Sequence, residues 1–166
     1  MIKGAIFDMD GTLLDSMSAW DGVGEKYLRR LGCEPKADFN DAIKDLSLRQ
    51  AASYSKNEYD IALSVDEIVD GVNAMVEDFY RNEVQLKPGI AEFLRVLNER
   101  GVKMCIATAS DRSLVEAAIQ HCGIDKYFSE IFTCGSVGHG KDEPHIYRQA
   151  LESLGTEKHD TVVFED

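Results

Sequence analysis

Asp8 and Asp10 stand two residues apart at the end of a short apolar run, and Gly11 and Thr12 follow at once. Two carboxylates at that spacing on a chain leaving a strand can divide labour. One attacks and holds a divalent cation, while the other turns to transfer a proton. Three further polar groups sit in comparable places: Thr108 and Ser110 close a second apolar run, Lys141 lies past a third, and Glu165 and Asp166 close a fourth. An isolated D-x-D reads equally well as a solvated acidic turn. The recurrence of polar residues at the ends of apolar runs favours chemistry, because ligands of an open α/β sheet bind at the carboxyl ends of its strands.

The elements that must position these residues are legible as alternating patterns. Ile2, Ala5, Ile6 and Phe7 read as a buried strand, as do Val102 to Ala107, Ile131 to Cys134 and Thr161 to Phe164. Between the second, third and fourth strands lie two helices. One carries Leu114, Val115, Ala118 and Ile119 behind a Ser110 or Asp111 cap, and one starts at Pro144 and carries Ile146, Ala150 and Leu154. Gly135, Gly138 and Gly140 predict a mobile loop ahead of that last helix. Strands separated by helices indicate an α/β fold with an open, doubly wound parallel sheet and right-handed crossovers.

Residues 16–85 break the alternation. Apolar residues from Met17 to Leu31 recur at helical spacing and predict one amphipathic helix, residues 38–60 continue helically, and Ser64 with Glu67 forms a capping box ahead of Ile68, Val72 and Val76. The expected organisation is therefore a core of residues 1–15 and 86–166 with an inserted α-helical cap over 16–85.

Composition narrows the function. In 166 residues, 18 Lys+Arg against 30 Asp+Glu leave a formal charge of −12, which argues against nucleic acid and anionic membranes as partners. The apolar runs are far too short for the roughly 20 residues of a membrane helix, and no charged-then-apolar leader opens the chain, so a soluble cytoplasmic protein is expected. The four cysteines show no C-x-x-C and read as buried reduced thiols.

At this point the motifs resemble a family. Phe7-Asp8-Met9-Asp10-Gly11-Thr12-Leu13-Leu14-Asp15-Ser16 is similar to the first motif of the haloacid dehalogenase superfamily. Ile106-Ala107-Thr108-Ala109-Ser110 resembles the second, Gly140-Lys141 with Pro144 the third, and Val163-Phe164-Glu165-Asp166 the fourth. The order resembles the phosphatase and beta-phosphoglucomutase branch, whose Rossmann-like core carries a helical cap after the first motif. The resemblance implies a phosphomonoesterase acting on a small phosphorylated metabolite, a sugar phosphate first among them. Asp8 is then the nucleophile that forms an aspartyl-phosphate, and Asp10 the acid and base. Thr108, the Ala109 backbone N–H and Lys141 bind the phosphoryl oxygens. The implied cofactor is Mg2+, held by the Asp8 carboxylate, the Asp10 backbone carbonyl and Asp166, with Glu165 as a direct or outer partner.

An acid at position 10 argues against dehalogenation, which needs no leaving-group proton. Trp20 stands about where the mutase branch carries an auxiliary His, which favours a phosphatase over a phosphomutase. Trp20 and Arg49 are the candidate specificity residues, with Lys44, Ser47 and Tyr54 beside Arg49 on the second cap helix; an ordinary solvated face outweighs a functional role for any one of the helix residues, and packing reads at least as well for Trp20. His121, His139, His145 and His159 have no metal-ligand spacing with one another or with Cys, so surface or supporting roles are expected. The reading from another class is a catalytically idle fold fragment or binding module. Family members continue past the fourth motif through further elements, so the expectation is that these residues are part of a longer, more stable parent.

Overall fold

The computed structural model describes residues 1–44, 46, 48–141 and 143–166. The chain divides into two compact units, one made of Met1–Met17 with Tyr80–Asp166 and the other of Ser18–Phe79.

The first unit is built on four parallel strands: β1 (Gly4–Phe7), β2 (Lys103–Thr108), β3 (Ile131–Thr133) and β4 (Thr161–Phe164), in the order β3-β2-β1-β4. Register aligns their carboxyl ends, with Phe7 opposite both Ile106 and Phe164, and Thr108 opposite Thr133. Because side chains alternate along a strand, Ile6, Cys105 and Ala107 share one face. There they pack on Ile146, Ala150 and Leu154 of helix α9 (His145–Leu154). Phe7 turns to the other face and meets Phe93 of α6 (Ile90–Glu99) edge-on at 6.3 Å. Helices thus cover both faces of a parallel sheet, as strands apolar on both sides require. Phe7 also stacks on Phe164 at 4.7 Å, which fixes the ends of β1 and β4 directly beneath Asp8 and Glu165. Helix α7 (Arg112–His121) buries Leu114, Val115, Ala118 and Ile119, as its periodicity predicts. Asp111 occupies its N-cap but makes no side-chain capping bond.

The second unit holds α1 (Met17–Trp20, whose first residue still belongs to the sheet unit), α2 (Val23–Arg30), α3 (Phe39–Ile43), α4 (Leu48–Glu58) and most of α5 (Val65–Asn82). Its core is Tyr27, Leu28, Phe39, Ala52, Ile61, Ile68 and Val72. Here the pattern-based expectation is corrected twice. The helix expected over 16–31 is two helices, because Gly22 takes the left-handed conformation at φ 66 and restarts the chain as the N-cap of α2. The described residues within 38–60 likewise form two helices, α3 and α4, where one continuous stretch was expected. The Ser64–Glu67 capping box is present in both directions, Glu67 N–H to Ser64 Oγ at 3.2 Å and Ser64 N–H to Glu67 Oε2 at 2.7 Å.

The predicted glycine-rich loop after β3 is also corrected. Cys134–Val137 form a short helix, α8, whose N-cap Thr133 exchanges hydrogen bonds with Ser136 and whose end is set by Gly138 at φ 78. Of the four thiols, Cys105 alone is fully buried; Cys33, Cys122 and Cys134 are half-buried, and all four are free.

Candidate active site

β1 delivers Asp8 to the carboxyl edge of the sheet, where the Asp8 N–H donates to the Phe164 carbonyl at 2.9 Å. The next six residues fold into a tight turn: the N–H groups of Leu13 and Leu14 both donate to the Met9 carbonyl, and Met9, Leu13 and Leu14 are wholly buried. Gly11 makes this turn possible. Its φ of 78 suits glycine, and a Cβ there would collide with the Asp166 carboxylate. The turn and the fourth motif therefore approach each other through the space that a side chain would fill.

The Asp8 side chain is 10% exposed, and Lys141 Nζ donates to its Oδ1 at 2.5 Å. The same ammonium donates to Glu165 Oε1 at 2.9 Å, and the Tyr147 hydroxyl donates to that oxygen too. Burial pushes the Asp8 carboxyl above its usual range, opposed by Lys141 and the Met9 N–H. Burial acts to lower the Lys141 ammonium, but its bonds to Asp8 and Glu165 outweigh that and hold it above the ordinary lysine value. Burial also raises Glu165, yet Lys141 and Tyr147 bring it below the ordinary carboxylate range. Burial, with the bond to Glu165, in turn pushes the Tyr147 phenol up.

Asp10 is held differently. Ser16 Oγ donates to its Oδ1 at 2.5 Å, the Tyr80 hydroxyl donates to the same oxygen, and Ser110 Oγ donates to Oδ2 at 2.5 Å. Three hydroxyl donors fix its orientation, and each can rotate to accept instead of donate, so the arrangement tolerates a change of protonation on Asp10. Thr108 is buried at the end of β2. Its hydroxyl oxygen accepts the Ser110 N–H at 3.1 Å, which leaves its proton to donate, and Ala109 lies exposed just beyond.

The first unit thus brings Asp8, Asp10, Thr108, Ala109, Lys141, Glu165 and Asp166 to one edge of the sheet. Arg49 and Trp20 belong to the second unit. Arg49 pairs with Asp66 at 2.6 Å on an exposed helix face, and Trp20 ends α1 at 36% exposure. Ser47 lies outside the described residues. Pattern reading assigns no site role to Tyr80, Ser16 or Tyr147. Tyr80 falls on the i, i+4 apolar stripe Ile68, Val72, Val76 and is indistinguishable from a packing residue until its hydroxyl is placed.

Asp8, Glu165 and Asp166 each offer a carboxylate oxygen, all within 4.8 Å of one another. An all-oxygen set of this kind fits a hard divalent cation such as Mg2+. Glu165 Oε1 accepts from both Lys141 and Tyr147, and Asp8 Oδ1 accepts from Lys141. A second group, His139, Glu143 and His145, brings three ligand atoms within 4.8 Å of one another on exposed side chains.

An open parallel sheet thus carries a buried aspartate just past its first strand, a lysine upon it and two acids just past its last strand, an arrangement that suits a hydrolase. The haloacid dehalogenase-like hydrolase family matches residues 2–166, and the chain belongs to it. Among curated relatives, a Drosophila melanogaster protein named "Probable pseudouridine-5'-phosphatase" is 31% identical over 168 residues, spanning 97% of this chain and 72% of that one. Hexitol phosphatase A of Escherichia coli K12 is 30% identical over 168 residues, 99% of this chain and 74% of the other. The fold is shared with the solved structure of CbbY from Rhodobacter sphaeroides in complex with phosphate. That similarity has a TM-score of 0.74 at 21% identity, over 98% of this chain and 77% of that chain. Among the described residues, no helix is long and apolar enough to cross a membrane.

Proposed function

We propose that the protein is a Mg2+-dependent phosphatase of a small phosphorylated metabolite, a sugar or polyol phosphate, working through an aspartyl-phosphate on Asp8. The observation that carries this reading is the buried Asp8 carboxylate with the Lys141 ammonium 2.5 Å from one oxygen. Phosphoryl transfer needs an in-line nucleophile and neutralisation of the equatorial oxygens, and this pair supplies both. The names of the phosphatase relatives, and the phosphate in the CbbY structure, support the substrate class.

An Asp8 oxygen attacks phosphorus, the bond from phosphorus to the ester oxygen breaks, and the leaving oxygen takes the proton of Asp10. Asp10, now a carboxylate, removes a proton from water. That water attacks the phosphorus and releases inorganic phosphate with Asp8 restored. Lys141, the Thr108 hydroxyl and the Ala109 N–H bind the transferring oxygens. Asp8, Asp166 and the Asp10 carbonyl would hold Mg2+, with Glu165 as an outer partner; when bound, the ion supplies further neutralisation of charge on the phosphoryl group. Trp20 and Arg49, in the helical unit of residues 18–79, are the candidate specificity residues.

The test is phosphate release from a panel of hexitol, hexose and nucleoside monophosphates, with Mg2+ and with excess chelator. Release that depends on Mg2+ and favours some members of the panel is expected. No release from any member, or full release in chelator, contradicts the reading. Conversion of a hexose 1-phosphate to its 6-phosphate faster than phosphate appears, with the bisphosphate supplied, would replace the phosphatase by a mutase.

A further inference from the structure

The turn that carries Lys141 bears a group of side chains with no part in the chemistry above. His139 Nδ1 lies 3.0 Å from Glu143 Oε2, and His145 Nε2 lies 3.1 Å from the same oxygen. The two imidazoles stack with centroids 4.0 Å apart and ring planes 21° apart. Each of these side chains is about half exposed, between 45% and 50%. We propose that His139, Glu143 and His145 form a second metal site, specific for a borderline transition ion of the Zn2+ class and separate from the carboxylate site at Asp8.

The argument is one of convergence. Surface ion pairs ordinarily join two groups, whereas here two imidazole nitrogens are aimed at one carboxylate oxygen, and the three ligand atoms lie within 4.8 Å of one another. Two imidazoles and one carboxylate are a recurrent three-ligand set for Zn2+, with the remaining position open to water, as half exposure allows. Imidazole favours Zn2+, Ni2+ and Cu2+ over Mg2+, while the three carboxylates at Asp8 have the opposite preference. The two sites therefore differ in the ion they select.

Position gives the site a consequence. His139 and Glu143 flank Lys141 on either side, and the Lys141 ammonium bonds both Asp8 and Glu165. An ion joining residues 139, 143 and 145 closes this turn into a ring and restricts the backbone from which Lys141 projects. Zn2+ binding is expected to raise the melting temperature, since an ion that binds only the folded chain stabilises it.

The experiment titrates Zn2+ into the protein in excess Mg2+, by calorimetry and by melting temperature, for wild type, Glu143→Gln and the double variant His139→Ala/His145→Ala. Wild type is expected to take up one equivalent that Mg2+ does not displace, with a rise in melting temperature. The double variant should lose that uptake. Glu143→Gln should lose more than the roughly 10- to 100-fold in affinity that removing a mere outer partner costs. Imidazole 15N spectra of the wild type give an independent readout: Zn2+ should shift the rings of His139 and His145 and leave His121 and His159 in place. Undiminished Zn2+ affinity in the double variant, displacement of Zn2+ by Mg2+, or unshifted His139 and His145 rings would overturn the proposal.

Discussion

Asp8 and Asp10 are two residues apart in sequence and chemically unlike in place. Asp8, the nucleophile of the proposed mechanism, is buried with the fixed positive charge of an ammonium beside it. Asp10 is surrounded by hydroxyls, a setting that orients a proton carrier. Tyr80 tests that division. Its wholly buried ring would be kept in Tyr80→Phe, which removes only the hydroxyl bonded to Asp10. A hydrogen bond to a charged group contributes on the order of 1.5–3 kcal/mol, so kcat of this variant should fall by about tenfold or more with KM little changed. The steady-state comparison of the two proteins checks this, and an unchanged kcat would show that Ser16 and Ser110 suffice to hold Asp10. Asp8, Asp10 and Lys141 were legible because each directly follows an apolar run or lies in a short motif. Tyr80 was not, since 70 residues separate it from Asp10 and its spacing is that of a core residue.

At the scale of elements, what was legible is what local chemistry decides. The Ser64–Glu67 box depends on neighbours in sequence, and it is present. The break at Gly22 escaped notice because Trp20 and Val23 are three apart, a spacing that one continuous helix and two short ones share. The Thr133–Ser136 cap escaped because three glycines dominate the reading of that stretch. A long-range tie of the same kind anchors β4. Lys3 Nζ pairs with Asp160 Oδ2 at 2.6 Å, the Glu157 N–H donates to Asp160 Oδ1 at 2.9 Å, and the Asp160 side chain is 4% exposed. The bond from Lys3, with that N–H, holds the Asp160 carboxyl below its usual 3.8, and the same pairing holds Lys3 above 10.5. A depressed carboxylate contributes stability that is present above its unfolded value and lost as pH falls through the folded one. The raised lysine contributes below 10.5 and loses its share as pH rises beyond. Urea midpoints should therefore show Asp160→Asn less stable than wild type at about pH 6, with the gap narrowing as pH falls below about 3.8. A gap that stays constant across that range would mean the carboxylate charge contributes nothing.

The whole molecule carries a formal charge of −12, yet its candidate site is built to receive an anion. Lys141 stands among three carboxylates, and a bound divalent cation would cancel the negative charge they leave in excess. Net charge thus speaks to nucleic acid and membrane partners and is silent about a phosphate bound at one sheet edge. The order of the strands explains how residues so far apart meet: β1 lies between β2 and β4, so motifs at positions 8, 108 and 165 become neighbours. That convergence is why four short motifs sufficed to read the core. The helical unit of residues 18–79 offers no such motif.

The most direct test of the account is phosphate trapped on Asp8. Acid-quenching the protein during turnover of its best substrate and measuring the mass of the peptide that contains residue 8 reads the intermediate itself. The account predicts one phosphate on that peptide in the wild type, none in Asp8→Asn, and no turnover by that variant while its circular dichroism is unchanged. Turnover by Asp8→Asn at the wild-type rate, or phosphate carried on another residue, would contradict it.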